Sequence, residues 1–144
     1  MKYRMLSPRD GERRLAVVFD VDEHVLTELE QLCEGEHIRS ASLTGIGGFR
    51  KATLAYYDME SKRYEPIEVD EQVEVVSLLG NVTQYSGRPR IHAHCIVGHR
   101  DGRTTAGHLL AGVVRPTLEV FVDELPAQLV REDRPDIGIP LIDL

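Results

Sequence analysis

The chain's 144 residues are enough for one hydrophobic core and too few for two independent ones. At 42% hydrophobic and 28% charged the composition is that of a globular domain, and apolar runs such as AVVF at 16–19 are too short to span a bilayer as a helix. A formal net charge of -7, from 24 Asp and Glu against 17 Lys and Arg, disfavours a platform for nucleic acid and leaves only the short basic runs Arg9–Arg14 and Arg88–Arg90 for such a contact.

The opening MKYRMLSPRDGERR has basic residues but no apolar segment before its Pro and charges, so it does not read as a secretory signal, and a cytoplasmic location is expected. Residues 14–20, RLAVVFD, read as a strand. Asp22 is then placed to N-cap a helix in which Val25, Leu26, Leu29, Leu32 and Cys33 recur at helical spacing, with Gly35 as the C-terminal stop. After the helix the pattern changes to strands: 38–47, 51–58, 63–69, 72–83, 90–98, 107–115 and 117–124 are β-branched or alternating, with Gly, Pro and Asp between them. The expected fold is therefore α+β, a largely antiparallel sheet with one main helix in a single compact domain over 1–144. Residues 125–144 form a C-terminal extension whose Ile137, Ile139, Leu141, Ile142 and Leu144 imply docking on the body or on another subunit.

Two glycine-containing stretches invite functional readings. GIGGF at 45–49 has Arg50 where a dinucleotide fingerprint wants its third glycine, and a strand follows, so a tight turn or a close backbone approach is expected. Gly-Arg-Pro-Arg at 87–90 resembles the core of an AT-hook but lacks the preceding Arg and runs straight into a strand, so it reads as the beginning of that strand. Cys33 and Cys95 lie 62 positions apart without CxxC spacing and are expected as reduced core residues.

The stretch IHAHCIVGHRDGRTTAGHLL, 91–110, holds four of the six histidines. Alternation puts His92 and His94 on one strand face and Ile91, Ala93, Cys95 and Val97 on the other, the core face. Arg100, Asp101 and Gly102 fit a three-residue hairpin loop, with Gly102 in the left-handed position. That loop pairs residues whose numbers sum to 202, setting His94 opposite His108 and His92 opposite Leu110. His92, His94 and His108 then form a triangle on one face. Three neutral imidazoles suit a divalent metal, zinc above all, and leave a coordination position for water, substrate or a donor from a neighbouring subunit. His99 is expected to face solvent at the turn, and His24 and His37 have no partner in view. A cupin site would need a Glu where Gly98 and His99 stand, and no Gly-x-Ser-x-Gly elbow supports serine hydrolysis. Glu74 and Glu119, isolated in apolar strands, either face solvent or orient a ligand imidazole or shuttle a proton; no catalytic residue is assigned.

The ordered set LTGIGGFRKATLAYYD, EVVSLLGNVT, IHAH, GHLL and TLEV resembles the PPC (plants and prokaryotes conserved) domain, over roughly residues 10–124. The resemblance implies an α+β sheet domain assembling as a homotrimer and, as in prokaryotic relatives, a metal held by His92, His94 and His108. Family members are commonly labelled DNA-binding by extension from plant proteins, in which an AT-hook outside the domain makes the DNA contact; this chain has no separate AT-hook. Three readings follow: a DNA-associated or regulatory metal protein, a metal-dependent hydrolase or lyase acting on a small molecule, and a trimeric scaffold fastened by metal. The sequence leaves open whether it is an enzyme.

Overall fold

A computed structural model describes residues 1–6 and 13–144; of the basic run Arg9–Arg14, residues 9–12 lie outside the described residues. In chain order the elements are β1 (Lys2–Met5), β2 (Arg14–Phe19), α1 (Val25–Gly35), β3 (Ala41–Asp58), β4 (Arg63–Val69), β5 (Val73–Tyr85), β6 (Arg88–Gly98), β7 (Thr104–Glu124), β8 (Val130–Arg134) and β9 (Ile139–Asp143). Antiparallel pairings join β3 to β5, β5 to β6, β6 to β7 and β7 back to β3, so four long strands close a circuit around the core. The remaining strands extend it: β2 lies on the C-terminal half of β7 with β1 beyond it, and β4 lies on the outer half of β3.

The expectation of an α+β domain with a main helix is corrected here. Strands make up 66% of the chain and helix only 8%, which defines a mixed sheet of many strands carrying one short helix. The physical reason lies in the glycines and the tail. Gly45, Gly47 and Gly48 do not turn the chain between two strands. A Cβ at Gly47 would lie 2.4 Å from the Thr117 carbonyl oxygen, and one at Gly48 2.3 Å from that of Arg115, so these residues let β7 press against β3. Bulges there bend the strand without ending it, and the expected strands 38–47 and 51–58 run together as the 18-residue β3. Likewise 107–115 and 117–124 are one 21-residue strand, β7. The tail adds two further strands, and a parallel pairing, Gln84 with Val130 between β5 and β8, makes the sheet mixed.

The helix forms where the apolar spacing placed it, burying Val25, Leu29, Leu32 and Cys33 against β6 and β7. Its N-cap is His24, not Asp22: Asp22 takes a left-handed φ of 68°, its N–H donates to the Val114 carbonyl at 2.9 Å, and its carboxylate faces Arg50. Alternation along β2 buries Leu15, Val17 and Phe19, which join Leu43, Phe49, Leu54 and Leu118 in one core. Each such large side chain removed from water stabilises the fold by roughly 1.5–3 kcal/mol. Cys33 and Cys95 are free and buried, and burial pushes both thiols up to about 12, which keeps them inert core residues. Gly87 and Ser86, both with positive φ, make the tight turn from which Gly-Arg-Pro-Arg enters β6. Among the described residues no helix is long and apolar enough to cross a membrane.

The C-terminal extension docks on the body. β8 and β9 form a hairpin held by Tyr57, whose hydroxyl donates to the Ile137 carbonyl at 2.6 Å, by Lys62 Nζ on the Pro135 carbonyl at 2.9 Å, and by the Leu129 N–H on Ser40 Oγ at 2.7 Å. This docking carries Arg131 of β8 into the interior.

Candidate metal centre

The hairpin joining β6 to β7 has the geometry its sequence dictates. The His99 N–H donates to the Arg103 carbonyl at 2.8 Å, and Gly102 adopts a φ of 85° that only glycine takes without strain. Every pair in the ladder sums to 202, from Gly98 with Thr104 to His94 with His108. There the ladder ends. Beyond it β7 follows β3, with His108 opposite Ala55, while His92 pairs across β6 with Asn81 of β5, so the expected His92–Leu110 pairing is not formed.

The three imidazoles nevertheless converge. Ring centroids lie 5.2 Å apart for His92 and His94, 5.1 Å for His92 and His108, and 5.4 Å for His94 and His108. One nitrogen from each can be chosen so that all three lie within 4.8 Å of one another. His92 and His108 are half-buried and His94 is exposed. Tyr64 of β4 stacks on the His108 ring at 4.5 Å, and Tyr57 meets Tyr64 edge-on at 4.9 Å, so β3 and β4 fix one wall. Arg131 supplies the other: its Nη2 donates to His92 Nδ1 at 3.2 Å and to Asn81 Oδ1 at 2.9 Å, and its Nε donates to Thr83 Oγ1 at 2.8 Å. His108 Nδ1 is buried and has no hydrogen-bond partner among the described residues.

Electrostatics keeps the half-buried pair neutral. Burial, then Arg131 and His94, lowers the His92 pKa below its ordinary value. Burial, then the neighbouring His92, His94, Arg90 and Arg131, brings His108 down to about 4. Both therefore present lone pairs at pH 7, the form that a metal ligand requires. No carboxylate contributes to the cluster among the described residues.

Other sequence candidates fall elsewhere. Glu74 and Glu119 are exposed, and neither hydrogen-bonds an imidazole of the cluster. His99, expected in solvent, has its side chain only 9% exposed, between Glu71 at 2.8 Å from Nδ1 and Thr105 at 2.8 Å from Nε2. His24 caps the helix, and His37 is exposed in the left-handed turn that follows it. Arg131 and Tyr64 were not foreseen. Tyr64 could have been found from the β3–β4 hairpin, whose register sets it opposite Tyr57, but nothing local in VREDR marks Arg131 as buried.

The chain is thus a strand-built domain, a closed circuit of bent strands that brings three histidines together beside a hairpin. Residues 7–126 match the Plants and Prokaryotes Conserved (PCC) domain, and the chain belongs to that family. Among solved structures it is similar to a candidate DNA-binding protein from Ralstonia eutropha, with 33% identity and a TM-score of 0.86 over 97% of this chain and 95% of that one. A plant- and prokaryote-conserved protein from Pyrococcus horikoshii gives 28% identity and a TM-score of 0.87 over 99% and 95%. A metal-containing protein from Archaeoglobus fulgidus gives 28% identity and 0.86 over 100% and 99%. No curated protein matches.

Proposed function

We propose that His92, His94 and His108 hold a divalent metal, zinc by preference, and that the protein binds or transforms a small molecule at that metal. The observation that carries this is the convergence of three imidazoles, the half-buried pair held neutral, with a buried His108 Nδ1 that has no hydrogen-bond partner among the described residues. The donor set fits the ion. Three atoms no more than 4.8 Å apart share a centre at most about 2.8 Å from each (4.8 Å divided by √3), and small side-chain rotations bring that to the ~2.0–2.1 Å of a zinc–imidazole bond. When bound, a divalent ion supplies Lewis acidity at the position that three ligands leave open. The chain's own residues orient and enclose: Tyr64 stacks on the His108 ring, and Asn81 of β5 pairs with His92 across the ladder. Similarity to the metal-containing protein of A. fulgidus supports this reading.

A homotrimer in the cytoplasm belongs to the same proposal. Ile46, Leu79, Ile96 and Phe121 are exposed large apolar residues, and register pairs Leu79 with His94 on one side and Thr44 on the other, so an apolar face borders the cluster. Such a face supports a contact between copies next to the exposed His94.

Zinc titrated calorimetrically into chelator-stripped protein tests the reading. One equivalent per chain, lost in His92→Ala and His108→Ala, is expected; wild-type protein that takes up no zinc overturns it. The second reading, DNA association, is favoured by similarity to the R. eutropha protein. It requires duplex binding that weakens steeply as salt rises, and absence of binding at low salt removes it.

A further inference from the structure

Arg131 is only 8% exposed and, among the described residues, has no carboxylate partner. A buried guanidinium is costly unless its charge is matched. Four of its five N–H groups are used: Nε on Thr83 Oγ1, one on Nη1 to the Pro140 carbonyl at 3.1 Å, and both on Nη2, to Asn81 Oδ1 and His92 Nδ1. One Nη1 hydrogen has no partner among the described residues.

The bond to His92 cannot outlast a metal on that ring. A neutral imidazole bound through Nε2 carries its proton on Nδ1, which then donates and cannot accept from Arg131; bound through Nδ1, it has given that lone pair to the metal. Either way Arg131 recovers an Nη2 hydrogen beside that Nη1 hydrogen. With the Pro140 carbonyl on the outer Nη1 hydrogen, these two donors face the same way and form the fork that grips a carboxylate with two parallel bonds.

The space next to this fork is a cleft of about 200 Å³ lined by His92, His108, Arg131 and the apolar Ile91, Leu110 and Leu141. Its apolar side chains suit a compact apolar group beside the guanidinium. Arg90 adds a second positive charge to its lining.

We infer that this cleft binds a small carboxylic acid with a compact apolar body, its carboxylate lying across the end of the Arg131 guanidinium beside the metal held by the histidines. This rests on the metal reading above. Metal binding creates the anion site, because it releases the Arg131 donor from His92; the acid therefore binds the loaded protein and not the stripped one.

The test compares isovalerate with its neutral amide, isovaleramide, by calorimetry on zinc-loaded and chelator-stripped protein, with zinc content measured on each sample. On loaded wild-type protein, isovalerate is expected to bind roughly 10- to 100-fold more tightly than the amide, the worth of charge-assisted hydrogen bonds. Arg131→Lys keeps a charge but loses the fork, and should lose most of that preference while retaining zinc. Equal binding of acid and amide to loaded wild-type protein overturns this inference and leaves the metal reading intact. Failure of wild-type protein to take up zinc overturns both. Should Arg131→Lys not fold, a crystal structure of zinc-loaded wild-type protein with isovalerate decides: a carboxylate on Arg131 Nη1 and Nη2 is expected, and one bound elsewhere refutes the site.

Discussion

Replacing His108 with Phe separates the electrostatics of the cluster from its packing. The Phe ring keeps the stack on Tyr64 but cannot titrate. In the wild-type protein without metal, His108 has a folded pKa of about 4 against an ordinary value near 6.5, because burial and neighbouring positive charge oppose its protonation. The unfolded chain therefore binds more protons than the native one between those values, and stability falls as pH is lowered through that window. A difference of roughly 2.5 in pKa, at about 1.4 kcal/mol each, amounts to about 3 kcal/mol in full, of which about 2 kcal/mol is lost between pH 7 and pH 5. Urea denaturation of chelator-stripped protein at the two pH values, at one fixed protein concentration, measures it. His108→Phe should lose less stability than wild type on acidification, by about 2 kcal/mol. An identical pH dependence in the two proteins would refute the claim that His108 is held neutral.

Three further outcomes are expected. Gly80→Ala places a Cβ 2.5 Å from the His92 carbonyl oxygen, so it should destabilise the protein by roughly 1–3 kcal/mol and weaken zinc binding, as read by denaturation and zinc titration. Tyr57→Phe removes the hydrogen bond to the Ile137 carbonyl; hydrogen exchange in β8 and β9 should speed up by a local opening energy of about 1 kcal/mol, while β3 is unaffected. Leu79→Asp puts a charge on the exposed apolar face beside His94, and light scattering should show a trimeric mass for the wild-type protein, as proposed, and a monomeric one for the variant. An unchanged mass would remove that face as the subunit contact.

Local chemistry made the histidine cluster legible. The Asp101–Gly102 loop fixes the hairpin register, strand alternation fixes which faces point inward, and together they bring His94 opposite His108 with His92 beside them. The surroundings were not legible, because they arrive from far along the chain. Arg131 reaches His92 across 39 positions, through a tail hairpin whose docking depends on Tyr57, Lys62 and Ser40. The fold class failed for a related reason: Gly47 and Gly48 look like punctuation in sequence, yet in the sheet they are the places where β7 approaches β3 closely, so two expected strands are one. Helical periodicity located α1 correctly but gave its one short helix more weight in the architecture than it has.

The central claim is tested most directly by the metal content of untagged protein purified without chelator, measured by elemental mass spectrometry beside His94→Ala. The account predicts one equivalent of a divalent metal per chain in the wild-type protein and a loss of that metal in the variant. Metal-free wild-type protein that cannot be loaded with zinc, or metal retained undiminished in His94→Ala, would contradict it.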